Sequence, residues 1–482
     1  MHQQVIGIVG SVAGHLFDIA IVTPAFRDGR LVGLMGTVGH VSDIGGTKDS
    51  LRAREIYEEG LQIPPMKLFD AGKPNETLVR MIQQNVRNGE QVLGDIYSFV
   101  AANALGAERL EAFMRDYGMH DLGALAEVVQ GLSEKAMRDA IKALPDGDYH
   151  ATITNNPLGE TISYPVLVQV EGDSVTVDFD GCPPQLPQGG LNSTLNYTAA
   201  HATYPLKCML TPSVRGNAGC YRPFTVKAPE GSILNPTYPA AVNLRTRTGW
   251  YLAPNIFAAI AEAAPDRVQS FTGLAVAANI YGKDSAGQFY SDMLFCGGGQ
   301  GGSERGDGQS ALLWPTSAAN TSIELMESRV PVLVIEKSFL PDTGGAGRTR
   351  GGLGQVVRFC KRDEDGQEML VSVYPEGVDN PIDGLFGGTP GGEARGRVLS
   401  RAGKVLRDCG TGELVSLFRT DEVVELVLAG GAGYGDPRQR AQSAITRDLE
   451  LGLVTQGQVA RQYGSDTSPP STPGTQDAKE KA

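Results

Sequence analysis

The 482-residue chain has no apolar run long enough to cross a bilayer, and no charged N-terminal segment leading into a continuous apolar stretch. Neither membrane insertion nor secretion is therefore expected, and the cytoplasm is the default location. Basic residues are in short supply: 42 Lys and Arg face 55 Asp and Glu, for a formal net charge of -13. Binding to phosphate backbones needs clustered positive charge, so nucleic acid is not an expected partner. The six cysteines (Cys182, Cys208, Cys220, Cys296, Cys360 and Cys409) form no C-x-x-C pair and no zinc-ribbon spacing. They read as reduced, mostly inert thiols, with Cys220 kept as a residue that could line a site. No Gly-x-x-x-x-Gly-Lys-Ser/Thr loop is present, so the chain lacks the lysine that would meet a nucleotide phosphate.

Glycine, in contrast, is abundant. The 62 glycines exceed the usual share of roughly 7% and point to tight turns and close backbone approaches. Length alone points to about three domains. The expected fold class is α+β: a mixed, β-rich chain with a helical block near residues 75–145 and glycine-rich loops. Residues 1–73 read as an N-terminal β-hairpin region, with strand-like runs from Asp18 to Thr23 and Leu31 to Thr37 around Asp28-Gly29. Residues 74–146 are helical by their three- and four-residue apolar spacing, beginning with Leu78, Met81, Ile82 and Val86. Residues 147–464 form an α+β main region. It has a hairpin across Gly172, helices from Leu195 to Met209 and from Tyr251 to Ala263, and glycine-rich loops at 297–308 and 342–354. Short strands follow at Glu368 to Tyr374, Val398 to Val405, Glu413 to Phe418 and Val423 to Val427, then a helical tail from Ser443 to Tyr463. Residues 465–482, rich in Pro, Ser, Thr and charge, are expected to be disordered.

Only six histidines occur, and two share a pattern: Gly14-His15-Leu16-Phe17-Asp18 and Gly39-His40-Val41-Ser42-Asp43. With Asp28-Gly29-Arg30 as a three-residue loop, Arg27 faces Leu31, and Asp18 falls directly across from His40. His15 and Asp43 then lie just beyond the paired region, able to fold over the same spot. Two imidazoles with one or two carboxylates suit a borderline divalent ion such as Zn, Mn or Fe. The same spacing equally serves two structural histidines that cap turns through the following carboxylate.

The sequence resembles the hydantoinase B family. The resemblance rests on Gly14-His15-Leu16-x-Asp18, His40-x-x-Asp43-Ile44-Gly45-Gly46 and Glu55-Ile56-Tyr57-x-Glu59-Gly60-Leu61-x-Ile63-Pro64-Pro65. It continues through Asn217-Ala218-Gly219-Cys220, Pro239-Ala240-Ala241-Val242, Asn320-Thr321 with Glu324 and Glu327, Asp342 to Gly354, and Gly433-Tyr434-Gly435-Asp436-Pro437. The family comprises the B-type components of ATP-dependent N-methylhydantoinase and related lactamases, the matching half of 5-oxoprolinase, and subunits of acetone and acetophenone carboxylases. The resemblance implies a hetero-oligomer. An A-type partner would use ATP to phosphorylate a small-molecule carbonyl substrate, and this chain would complete the reaction, hydrolysing a cyclic amide or, in the alternative, carboxylating a ketone. It also implies a divalent metal at His15, Asp18 and His40. Asp43 and Glu324 are added as candidate catalytic residues, and Arg348 and Arg350 as candidates to hold a phosphate or carboxylate.

The chain departs from the family pattern in three places. The Asn-Asp-Pro and longer segment that usually precede the first histidine motif are absent, with Ile6 to Ser11 in their place. His-Leu-Pro-Asp is replaced by His15-Leu16-Phe17-Asp18, and Pro-Gly-Gly-Gly-Gly by Ala429 to Gly433. Two further readings follow: a truncated, noncatalytic structural subunit, and a stand-alone metal-dependent hydrolase that needs no ATP.

Overall fold

A computed structural model describes residues 4–8, 14–47, 51–157, 159–316, 318–375 and 381–464. The tail expected to be disordered, 465–482, lies outside the described residues. The α+β class holds, with ten-residue and longer strands at the N-terminus, three helices between Glu76 and Ile141, and a β-rich C-terminal half.

The N-terminal sheet is antiparallel, in the order Arg30–His40, Asp18–Arg27, Gln4–Ile8, Met66–Asp70, Lys73–Pro74. Along Asp18–Arg27 burial alternates, so Ile19, Ile21, Thr23 and Ala25 turn inward, as a sheet with one covered face requires. That face packs on the helix Gly89–Asp116 and on Leu78 and Ile82 of Glu76–Asn85. Gly39 is the point of closest approach, since a Cβ there would lie 2.1 Å from the Phe99 ring.

The hairpin turn is tighter than its sequence spacing implies. Arg27 pairs with Arg30, and Asp28 and Gly29 both take positive φ, as a two-residue I′ turn requires. A bulge then leaves Val32 unpaired between Phe26–Leu31 and Ala25–Gly33. The shorter loop and the extra residue offset one another, so Asp18 still faces His40.

A second sheet, Gly147–Asn155, Ile162–Glu171, Ser174–Asp178 and Phe224–Lys227, is covered by the helices Leu195–Leu210 and Thr246–Ile260. Two further antiparallel sheets share one apolar core. Val276–Lys283, Phe289–Cys296, Met369–Val373 and Glu413–Leu417 contribute Ile280, Leu294 and Val371. Val332–Phe339, Gln355–Lys361, Glu422–Val427, Arg395–Ser400 and Val405–Cys409 contribute Phe359 and Val424. The run Val398 to Val405, read as one strand, is two: Gly403, at φ +81, closes a turn between Arg395–Ser400 and Val405–Cys409. The helical tail is likewise divided, at Gly452 (φ +66), into Gln442–Glu450 and Gln456–Gln462.

The glycine-rich runs carry no helix or strand, as loops should, but most of their glycines are buried. Segments 297–302, 343–354 and 429–433 lie side by side, extended, with backbone bonds between them: Gly299 N–H to Ala429 O at 3.0 Å, Gly345 N–H to Gly431 O at 2.8 Å, and Gly431 N–H to Gly352 O at 2.9 Å. Their closeness leaves no room for a side chain at the glycines. A Cβ at Gly351 would stand 1.9 Å from Gly431 O, and one at Gly431 2.0 Å from Gln300 O.

Candidate functional site

The cross-strand pairing of Asp18 with His40 forms one end of the hairpin, and the turn before it carries His15 to the same place. His15 Nδ1 lies 2.8 Å from Asp18 Oδ2, and the His15 and His40 ring centroids are 5.0 Å apart. Phe17 stacks on His40 at 5.0 Å with the rings 17° from parallel, fixing the imidazole's plane. Burial lowers the His15 pKa, against the opposing pull of the Asp18 hydrogen bond. Burial would raise the Asp18 carboxyl, but the His15 hydrogen bond and the positive charge of Arg245 hold it below the usual carboxylate range. A charged Asp18 can only accept, so a neutral His15 donates through Nδ1 and presents its lone pair at Nε2.

Arg245 completes this group from a position 227 residues away in sequence. Its Nη2 donates to Asp18 Oδ2 at 3.0 Å, and its guanidinium lies over the Tyr197 ring, 4.6 Å from the centroid. The side chain is 6% exposed, and its Nε and Nη1 have no hydrogen-bond partner among the described residues. Gly14, at φ +105, is what allows this: a Cβ there would fall 2.3 Å from Arg245 Nε. The His15 and Arg245 bonds to Asp18 thus converge on one oxygen, Oδ2.

These residues open into a cleft of about 390 Å³. His15, Asp18, His40, Arg245 and Arg247 line it together with Phe17, Trp250, Phe295 and Tyr374. Arg247 lies over Tyr374, 4.0 Å from the ring centroid. Small-ligand sites commonly combine such apolar walls with a few convergent polar groups.

The other residues singled out in the sequence lie elsewhere. Asp43 is buried and accepts from Arg87, both from its backbone N–H and from Nη1 at 2.5 Å, in a neighbouring cleft that shares Ser42, Gln91 and Ser291 with the first. Glu324 is bonded to Ser322 on the short helix Ile323–Arg329, and Glu327 accepts the Val334 N–H at 2.7 Å. Arg348 pairs with Glu304, and Arg350 is buried against Asp448 at 3.3 Å. Cys220 is buried, with Sγ toward Arg215 O at 3.6 Å. None of Glu324, Arg348, Arg350 and Cys220 lines the cleft.

Arg245 and Arg247 were missed in the sequence, as was the carboxylate behind them. Glu59 is 1% exposed; its Oε1 accepts the backbone N–H groups of Val242 and Asn243, both at 2.8 Å, and its Oε2 has no partner among the described residues. Burial, only partly opposed by those two N–H groups, pushes its pKa up to about 7. The folded chain then holds the proton more tightly than the unfolded one, so between about pH 4.5 and 7 Glu59 makes stability fall as pH rises. The loss by pH 8 is about 3 kcal/mol. Comparing the melting of wild type and Glu59→Gln across pH 4 to 8 will show this slope in wild type and a markedly shallower one in the variant. Parallel curves would assign the slope to other groups.

Comparison with known proteins places this geometry in a family. Residues 9–437 match the family model described as hydantoinase B/oxoprolinase. A protein of Pseudomonas sp. strain NS671, provisionally named as the B component of a D-/L-hydantoinase, is 31% identical over 94% of this chain and 78% of its own length. The solved ATP-dependent caprolactamase from Pseudomonas jessenii superposes with a TM-score of 0.86 at 27% identity, covering 96% of this chain and 82% of that one. A nucleotide-free acetone carboxylase structure gives a TM-score of 0.83 at 17% identity, over 96% of this chain and 68% of that one, which is a likeness of fold. No helix among the described residues is long and apolar enough to cross a membrane. With its family model matched over nearly the whole length, the chain belongs to the hydantoinase B/oxoprolinase family.

Proposed function

We propose that the chain is the B-type component of a two-component, ATP-dependent cyclic-amide hydrolase. An A-type partner activates the carbonyl of the substrate, and this chain carries the ring-opening step in the cleft beside His15. The observation that carries this reading is the meeting of His15, Asp18, His40 and Arg245 at one cleft in a chain of this family. Identity above 25% to a caprolactamase, against a fold-only likeness to the carboxylase, favours amide hydrolysis over carboxylation.

We assign a divalent metal to His15, Asp18 and His40. Two imidazoles and a carboxylate are a donor set that Zn, Mn or Fe accepts. Among the described residues no three His, Cys, Asp or Glu side chains are arranged as a ligand group; His15 and Asp18 are bonded to each other, and Arg245 supplies positive charge at the carboxylate. An ion held there supplies Lewis acidity toward a carbonyl or phosphoryl oxygen. The protein's own part is separable from it. Asp18, itself held by Arg245, orients the His15 ring and leaves Nε2 as the nitrogen that would ligate the ion, and aromatic side chains line the cleft around it.

The test combines the chain with its A-type partner, ATP and a panel of hydantoins, lactams and 5-oxoproline. Ring opening is expected only when chain, partner and ATP are all present. Turnover without ATP would instead establish a stand-alone hydrolase, and no turnover with any substrate would favour a noncatalytic role. For the metal, plasma mass spectrometry should find near-stoichiometric ion in wild type and little in a folded His15→Ala/His40→Ala variant. A wild type that neither carries nor takes up Mn or Zn would remove the metal assignment.

A further inference from the structure

Arg245 and Arg247 stand where a helix disfavours them. The helix Thr246–Ile260 begins at the cleft, with Arg245 at its N-cap position and no side-chain cap bond there. The N-terminus of a 15-residue helix carries partial positive charge, so a cation at this end is repelled rather than stabilised. Two buried guanidiniums add to that field, and each lies over an aromatic ring, Tyr197 for Arg245 and Tyr374 for Arg247. Asp18 answers one nitrogen of Arg245, while Nε and Nη1 of this deeply buried side chain have no hydrogen-bond partner among the described residues. The cleft lining holds a single further carboxylate, Asp292, whose Oδ2 lies 3.7 Å from Arg329, a residue outside that lining. The chain as a whole carries a formal charge of -13, so this local positive field is a built feature and not part of a generally basic surface.

We propose that the N-terminus of the Thr246–Ile260 helix, with Arg245 and Arg247, is an oxyanion subsite that takes a carboxylate or phosphoryl group of the molecule bound in the cleft. This rests on the reading of that cleft as the substrate site, and it deepens that reading by stating the charge class of the ligand. A helix dipole and planar guanidiniums recognise such groups, and they carry the site here because the N–H groups of Arg247 and Thr248 already bond Leu244 O and Arg245 O, both at 3.0 Å. Arg348 and Arg350, which the sequence offered for this role, are engaged with Glu304 and Asp448 outside the cleft.

Isothermal titration of inorganic phosphate and, separately, acetate into the chelator-treated chain tests the subsite without metal or turnover. Saturable binding is expected in wild type. Arg245→Met and Arg247→Met should each weaken it about tenfold or more, and Arg247→Lys, which keeps the charge and helps preserve the fold, should weaken it less. Melting curves identify any variant that has lost its structure. Preference for phosphate would identify a phosphoryl group as the natural ligand, and equal or stronger binding of acetate a carboxylate. Absence of saturable binding in wild type, or undiminished binding in folded Arg245→Met and Arg247→Met, would overturn the proposal. The chelator-treated chain carries no ion, so saturable phosphate binding by it would let the subsite stand even if the metal assignment fails.

Discussion

Asp18→Ala should cost about 3–5 kcal/mol of stability, because it strands Arg245 inside the protein. The guanidinium is 6% exposed and ion-paired to Asp18 at 3.0 Å, so the variant leaves a buried charge without the carboxylate that answers it. Tyr197 offers a ring face at 4.6 Å, a contact too weak to offset that loss. Adding Arg245→Met to Asp18→Ala should recover much of the deficit, since removing both members of a buried pair is far cheaper than removing one. The cycle of two single variants and the double, followed by denaturant or thermal unfolding, isolates the pair's coupling from the separate costs of each truncation. Asp18→Asn should fall between wild type and alanine, because an amide oxygen still accepts from Arg245 without neutralising it. A double variant as unstable as the sum of its parts would show that the two side chains stabilise the fold independently.

Gly351→Ala is expected to be as damaging, by about 3 kcal/mol or more, for a purely steric reason. The new methyl would begin 1.9 Å from Gly431 O, and the next atom, Gly431 C, is 2.4 Å away. Neither strand can step back. Gly351 N–H is bonded to Gly345 O at 2.9 Å, while Gly431 is bonded on both sides, to Gly345 and Gly352. A flexible side chain in that place would yield, but a hydrogen-bonded backbone does not. Gly36 supplies the control: nothing lies within 4 Å of a Cβ built there, so Gly36→Ala should change stability by less than about 1 kcal/mol. Similar losses from both substitutions would show that the close approach at Gly351 is not what matters.

Local patterns made much of this architecture legible. Alternation identified the Gly172 hairpin and three- and four-residue spacing the helical block; the helix Leu195–Leu210 was read nearly in full, but Thr246–Ile260 was read only from Tyr251, so its arginine-bearing start was missed. The pairing of Asp18 with His40 was reached through a loop one residue too long, because an unforeseen bulge at Val32 compensated. Other features depended on distance along the chain. Nothing local to the histidine motifs announces Arg245, although two arginines opening an apolar helix, against its dipole, were a signal available in Asn243 to Gly249. Asp43 shares a motif with His40, yet its carboxylate is taken by Arg87, 44 residues on, a partner that spacing does not reveal. The glycine runs were read as loops because their periodicity matches neither helix nor strand; their bonding is between segments far apart in sequence.

The same glycine segments set how part of the molecule responds to cold. An ordinary core is held by apolar side chains leaving water, a force that weakens on cooling and gives unfolding its large heat-capacity change. Where Gly299, Gly351 and Gly431 meet there are no side chains to withdraw, and contact is made by peptide dipoles and carbonyl oxygens. Exposure of peptide surface changes heat capacity in the opposite sense to exposure of apolar surface. This layer therefore keeps its cohesion at low temperature, where the flanking sheets, packed through Val, Ile and Leu, lose part of theirs.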